Sequence, residues 1–339
     1  MGCFAYIAIG GEDKLLKFEM DPESGELNDR REVMLRGGPG PLAVDPTQGK
    51  LYIGLRSVRE IVSYGIDDHT GDLTPLGEPA LLDADPCYLA TDRTGRFLFS
   101  AYYGAGKVMV HPLHADGSVG QKPVTEIATA ERAHCIRPDP SNRYVLVPHT
   151  AGPNLIFQFE FDAESGALTP NRVPKVVPPP GEGPRHYVYH PNQPVVYFSN
   201  EQGCSVTAYS FDAERGTLAP FQTLSTLPPS FDGANTCAQI HIHPTGRYLY
   251  VSNRGHDSIA CFAVDMASGR LTSLGQQSTE PTPRVFGLDP AGNFLFAAGQ
   301  GSGVLAAYRI DAATGLLDPI AEYKVGERPM WVMLLDLDR

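Results

Sequence analysis

Arg185 and Glu201 stand at the two ends of GEGPRHYVYHPNQPVVYFSNEQG, residues 181–203, a stretch that reads as a hairpin. The planar fork of an arginine holds a carboxylate or phosphate bidentately. A glutamate beside it can steer a water, take a proton or neutralise the guanidinium. A hairpin would bring the two side chains together, and the residues that stand at the same places elsewhere in the chain indicate what they do.

The stretch belongs to a repeat. A strand ending in Asp-Pro or His-Pro, or a close variant, recurs at Asp45, Asp92, Asp139, His190, His243 and Asp289, with spacings of 47, 47, 51, 53 and 46. Each anchor is followed by a turn such as PTGR, then a second apolar strand such as YLYVSN, a third such as VTAYSFD, a polar turn such as AERG, and a fourth strand. Four short strands separated by Gly, Asn, Asp and Pro turns, in a unit of about 45 residues, describe a propeller blade. The C-terminal RPMWVMLLD reads as a seventh first strand, and YIAIG, LLKFEMD and the segment after DPESG as the second, third and fourth strands of that blade. The expected fold is therefore all-β. It is a seven-bladed β-propeller of four-stranded antiparallel blades over residues 1–339 as one domain, the ring closed by N- and C-terminal strands sharing a blade.

In such a blade the fourth-to-first and second-to-third connections share one face, and the short uniform turns share the other. The uniform face reads as scaffold and the variable face as the place for function. Five residues before each anchor, at the start of the innermost strand, stand Gly40, Cys87, His134, Arg185, Ala238, Arg284 and Met330. These should ring the central channel. Eleven residues after each anchor stand Arg56, Tyr103, Thr150, Glu201, Arg254 and Gln300, with His149 beside Thr150, forming an outer shell on the same face. Arg56, Arg185, Arg254 and Arg284 with two imidazoles and one carboxylate make a pocket for a small anion. The bland alternative is a buried Arg185–Glu201 pair that fixes the blade. His241 is expected to line the channel deeper down, His243 to cap its turn, and His186, next to Arg185, to face into the blade. Trp331 either walls the channel or packs between blades.

The formal net charge of -12 argues against nucleic-acid binding. No apolar run reaches the length of a membrane span, and MGCFAYIAIG lacks the form of a signal peptide. The expectation is a soluble cytoplasmic protein that touches neither nucleic acid nor membrane and is a monomer or weak homo-oligomer. The six cysteines are scattered, with no Cys-x-x-Cys, and read as small buried hydrophobes. No residue spacing suits a metal, and no Gly-rich phosphate loop opens a helix. No cofactor is expected.

In GPRH, SNE, NTCAQIHIHP, YLYVSNRGHDSIACF, TPRVFGLDPAGNFLFAAGQ and RPMWV, the chain resembles the lactonase family of seven-bladed propellers. That family holds bacterial propeller-type 6-phosphogluconolactonases and, more distantly, fungal carboxymuconate lactonizing enzymes. The resemblance implies a catalytic set of His134, Arg185, Glu201 and Arg284; the alignment of the blades and the reading of the channel add Arg254, Arg56, His241, Gln300 and Tyr103 as substrate-binding candidates. The resemblance also implies hydrolysis of an anionic sugar lactone, 6-phosphogluconolactone first, without metal or cofactor. The arginines would stabilise the oxyanion, and His134 or Glu201 would act as base. A carboxylate among guanidinium groups is a poor base, which favours His134. The family often carries an acid where this chain has Gln239; if that acid serves water, the substrate or the base must differ here. Two other readings stand beside the lactonase: a muconate-type lactonizing enzyme or cycloisomerase, and a non-catalytic propeller scaffold.

Overall fold

The second strand of each blade is mostly apolar on both faces, where an ordinary half-buried strand would alternate. Both of its faces are covered by neighbouring blades. In the computed structural model, which describes residues 2–337, β9 (Phe97–Tyr102), β13 (Tyr144–His149), β17 (Val195–Asn200) and β25 (Phe294–Gly299) are buried at every position. The outermost strands are largely polar and exposed, as in β27 (Leu317–Lys324). Among the described residues there are twenty-eight strands in seven four-stranded antiparallel sheets, and no helix. The expected seven-bladed propeller is observed.

The ring closes as the repeat implies. β28 (Pro329–Asp336) pairs with β1 (Cys3–Ile9), and β2 (Lys14–Met20) and β3 (Leu27–Met34) complete that blade. The innermost strands touch one another around the channel. They include β4 (Pro39–Val44), β8 (Tyr88–Thr91), β12 (Arg137–Pro138), β16 (Pro184–Tyr189), β20 (Thr236–Ile242) and β24 (Pro283–Leu288).

The anchors are turn caps. Asp92 Oδ1 accepts from the backbone N–H groups of Arg96 and Phe97 at 2.7 and 2.9 Å, and Asp139 does the same for Arg143 and Tyr144. The histidine anchors also bridge blades. His243 Nδ1 accepts from the Thr245 N–H at 3.2 Å, which leaves Nε2–H to donate to Gly292 O in the next blade at 2.8 Å. His243 thus caps its turn, as expected. The AERG turn needs its glycine: Gly216 has φ of 66°, and a Cβ there would meet the Tyr144 ring of the neighbouring blade at 2.1 Å.

The Arg185 hairpin stands on a rigid aromatic platform. Phe198 of β17 is fully buried, stacked on Tyr187 with ring centroids 4.9 Å apart and edge-on to Tyr209 at 5.2 Å. Truncating Phe198 to Ala would cost about 3–5 kcal/mol. The Tyr187 hydroxyl accepts from the Arg137 N–H at 2.9 Å and donates to Leu146 O at 2.8 Å, pinning β16 to the blade before it.

Candidate active site

The ring positions sit on irregularities of the inner strands. In β16, Pro184 pairs with Asn200 and His186 with Ser199, which leaves Arg185 as the extra residue of a β-bulge. Arg284 is the extra residue of β24 and Met330 that of β28. In β4 and β20 the register shifts across Gly40–Pro41 and Ala238–Gln239. A bulge interrupts the alternation of side chains and re-aims one of them. Two consecutive residues can then face the channel, and several such pairs line one pocket: Arg185 with His186, Arg284 with Val285, and Met330 with Trp331.

This corrects the expectation for His186, which assumed strict alternation. It lines the pocket with His134, and its Nε2 lies 3.1 Å from His134 Nδ1. Tyr88 packs edge-on against His186 at 5.1 Å, and Trp331 tilts over it at 6.3 Å. His149 is not the second imidazole of the site. Its Nε2 lies 3.0 Å from Thr129 Oγ1 and its ring packs on Phe157 within the blade. Trp331 is a channel wall.

His134, Arg185, Arg284 and Arg56 line this same pocket, whose innermost room of about 10 Å³ suits a single water. Gly40 makes space for Arg56, since a Cβ there would lie 2.8 Å from Arg56 Cδ. Glu201 joins through two ion pairs: Oε2 is 2.9 Å from Arg185 Nε, and Oε1 is 3.3 Å from Arg254 Nη2. Arg254 Nη2 also donates to Cys237 O at 2.9 Å. Tyr103 stands edge-on to His134 at 5.6 Å, and Gln300 Nε2 lies 3.2 Å from Met330 Sδ. His241 stands apart, lining the cavity at the other mouth of the channel, as does Gln239, whose Oε1 accepts from the Phe286 N–H at 3.3 Å. Gln239, where the resemblance leads one to expect an acid, therefore does not line the pocket of His134.

A partner of the site that the sequence did not announce is Asp85. Its Oδ2 lies 2.5 Å from Arg56 Nη2. It comes from the loop before β8, outside both aligned position sets.

The electrostatics are those of an under-neutralised cation cluster. Four guanidinium groups face two paired carboxylates, Glu201 and Asp85, a local excess of two positive charges. Burial, then Arg284 and Arg254, push Arg185 down to about 9; burial, then Arg254 and Arg56, push Arg284 down to about 10. Both remain cations at neutral pH. Arg185 is 2% exposed, and although its Nε is close to Glu201, neither Nε–H nor Nη1–H is aligned on an acceptor. Arg284 has no ion pair among the described residues. Burial, then Arg185, His186 and Arg284, hold His134 well below the usual imidazole range, so it is neutral. The Cys87 thiol in the same pocket is pushed up to about 11 by burial and is no nucleophile.

A ring of seven bladed repeats with an arginine-lined mouth and a paired imidazole defines the class. The sequence profile described as lactonase, 7-bladed β-propeller, matches residues 2–334, and the chain belongs to that family. It is 40% identical over 314 residues to a 6-phosphogluconolactonase of Pectobacterium carotovorum subsp. carotovorum, covering 93% of each chain. It is 38% identical over 330 residues to a 6-phosphogluconolactonase of Yersinia pestis, covering 97% of each. Among solved structures it resembles the periplasmic gluconolactonase of Pseudomonas aeruginosa, with a TM-score of 0.91, 25% identity and 99% of each chain covered. A putative 6-phosphogluconolactonase of Bacteroides fragilis follows with a TM-score of 0.88, 26% identity, and 99% of this chain and 98% of that one covered. Among the described residues no helix is long and apolar enough to cross a membrane.

Proposed function

We propose that the protein hydrolyses 6-phosphogluconolactone to 6-phosphogluconate at the arginine-lined mouth of the channel. The observation that carries this reading is the excess of two positive charges there, with Arg284 in no ion pair among the described residues and donors of Arg185 unaligned. A phosphate dianion would neutralise that excess. The curated relatives named 6-phosphogluconolactonase support the same substrate.

Arg284, with Arg56 near it, takes the phosphate. Arg185, the arginine that weighs most on His134, holds the carbonyl oxygen. Water attacks the ring carbonyl carbon, and one of its protons passes to His134 Nε2. The carbonyl oxygen becomes an oxyanion against Arg185. The ring C–O bond then breaks with its electron pair on the ring oxygen, which takes the proton back from His134. A hydroxyl and a carboxylic acid result, and the acid ionises. His186 positions the base: in the tautomer where His134 Nδ1–H donates to His186 Nε2, His134 keeps Nε2 bare to accept a proton. Both oxygens of Glu201 are occupied by arginines, which fits a positioning role. The buried thiols of Cys87, Cys135, Cys237 and Cys261 fit a reducing cytoplasm.

The test is proton release on a lactone panel at neutral pH, corrected for spontaneous opening, with 6-phosphogluconolactone beside unphosphorylated gluconolactone. We expect kcat/KM at least about tenfold higher for the phosphorylated lactone, the gain from one charge-assisted contact. Equal values would remove the phosphate clamp and favour the chemistry of the periplasmic relative. Silence on the whole panel from folded protein would overturn the hydrolase.

A further inference from the structure

Beyond Trp331 the channel widens again, on the face of the Asp-Pro turns, into a cavity of about 820 Å³. Trp331 lines both this chamber and the pocket above. The chamber has the size of a small-molecule site. Uniform turns gave no reason to expect a site on this face.

The chemistry of its wall is specific. Arg137 projects here with Nη1 3.3 Å from Tyr187 O and its side chain hydrogen-bonded to Tyr88, and Arg93 stands at the rim with Nε 3.4 Å from Asp139 O. Neither has an ion pair among the described residues. Arg137 is close enough to Arg93 to disfavour its charge. Of the nearby carboxylates, Asp139 favours the charge of Arg93 without forming an ion pair with it. Asp92 is spent on the N–H groups of Thr94, Arg96 and Phe97 and on Asn142 Nδ2, and Asp45 on those of Thr47 and Lys50. Three more polar atoms on this wall are buried without a partner: Tyr189 Oη, His241 Nε2 and Gln48 Oε1. Native proteins leave few such atoms, and each calls for an explanation. Trp331 offers a flat apolar surface beside them.

We infer that the Asp-Pro face of the channel holds a second binding site, for a small organic anion. Its carboxylate or phosphate lies between Arg93 and Arg137, and its body packs on Trp331. The site is separate from the arginine cluster at the other mouth and does not depend on the reaction proposed there.

The experiment is titration of the full chain with phenyl phosphate and with benzoate, followed by calorimetry and by the fluorescence of Trp331, the single tryptophan. Wild type is compared with Arg93→Gln, Arg137→Gln and Arg284→Gln, each checked for folding by circular dichroism. The expected result is a binding component that weakens about tenfold or more in Arg93→Gln and in Arg137→Gln and survives in Arg284→Gln. Because Arg93 is exposed at the rim, its variant keeps the test valid if Arg137→Gln fails to fold. A preference for phenyl phosphate or benzoate tells which anion the site takes. Binding that follows Arg284 alone, or no binding of either probe at millimolar concentration, overturns the site.

Discussion

His134 Nδ1 and His186 Nε2 lie 3.1 Å apart, so two imidazoles from neighbouring blades share one hydrogen bond beneath two arginines. Only one of them can donate in that bond. A proton added to the pair would place a further cation beside Arg185 and Arg284.

Acid sensitivity follows. Burial first, then the arginines, hold His134 and His186 well below the usual imidazole value, and burial pulls the fully buried His111 and His149 down to about 4. Unfolded, all four titrate near 6.5. The unfolded chain therefore binds more protons below about pH 6.5. The stability these groups contribute is complete above that pH and is lost as the pH falls through their folded values. Each removes about 1.4 kcal/mol per pH unit in that window. Melting temperatures should be level from pH 7 to 8 and drop from pH 6.5 to 5, before most carboxylates titrate. A level profile down to pH 5 would contradict this.

Under the proposed reaction, Arg284 is expected to contribute to function more than to the fold. It has no ion pair among the described residues, and it is crowded by Arg254 and Arg56. Arg284→Gln should lower kcat/KM on 6-phosphogluconolactone about 10²- to 10³-fold. Its melting temperature should stay level or rise, because a repulsion is removed. A variant that loses stability and activity together would make Arg284 a structural residue.

Glu201 behaves oppositely. It holds Arg185 and Arg254 with both oxygens, and its side chain is 15% exposed. Glu201→Gln leaves two arginines without their counter-charge and should cost about 3–5 kcal/mol in chemical denaturation. As a positioning residue it should lower kcat without changing the shape of the pH–rate profile. Disappearance of the acidic limb of that profile would instead make Glu201 the base.

Four guanidinium groups around the mouth repel a divalent cation. Turnover should therefore be unchanged after dialysis against EDTA. A loss that Mg²⁺ or Zn²⁺ restores would require a different mechanism.

The fold was legible because its period is carried by residues with local work to do. Asp92 and Asp139 cap the turns that follow them, and Gly216 takes the backbone conformation its turn requires. Aligning the repeat on those caps also brought His134, Arg185, Arg284 and Arg56 to one pocket. What alternation could not supply was the bulge at Arg185, an extra residue visible only in the pairing with Asn200 and Ser199. That single insertion turns His186 from the blade to the channel. Asp85 was hidden because it lies in a connection outside the repeat; His241 lines the channel deeper down as expected, but a few residues along an inner strand carry it past Trp331 into the other chamber and away from the arginines.

The bulges separate the chemistry of this protein from its construction. Because Arg185, Arg284 and Met330 are the unpaired residues of their strands, exchanging them need not disturb a single ladder hydrogen bond. The mouth of the channel is thus a set of seats on a fixed frame, and Cys87, Ala238 and Met330 are seats that carry no charge. A lineage, or an engineer, could change the substrate by reseating the ring one residue at a time while all seven blades stay as they are.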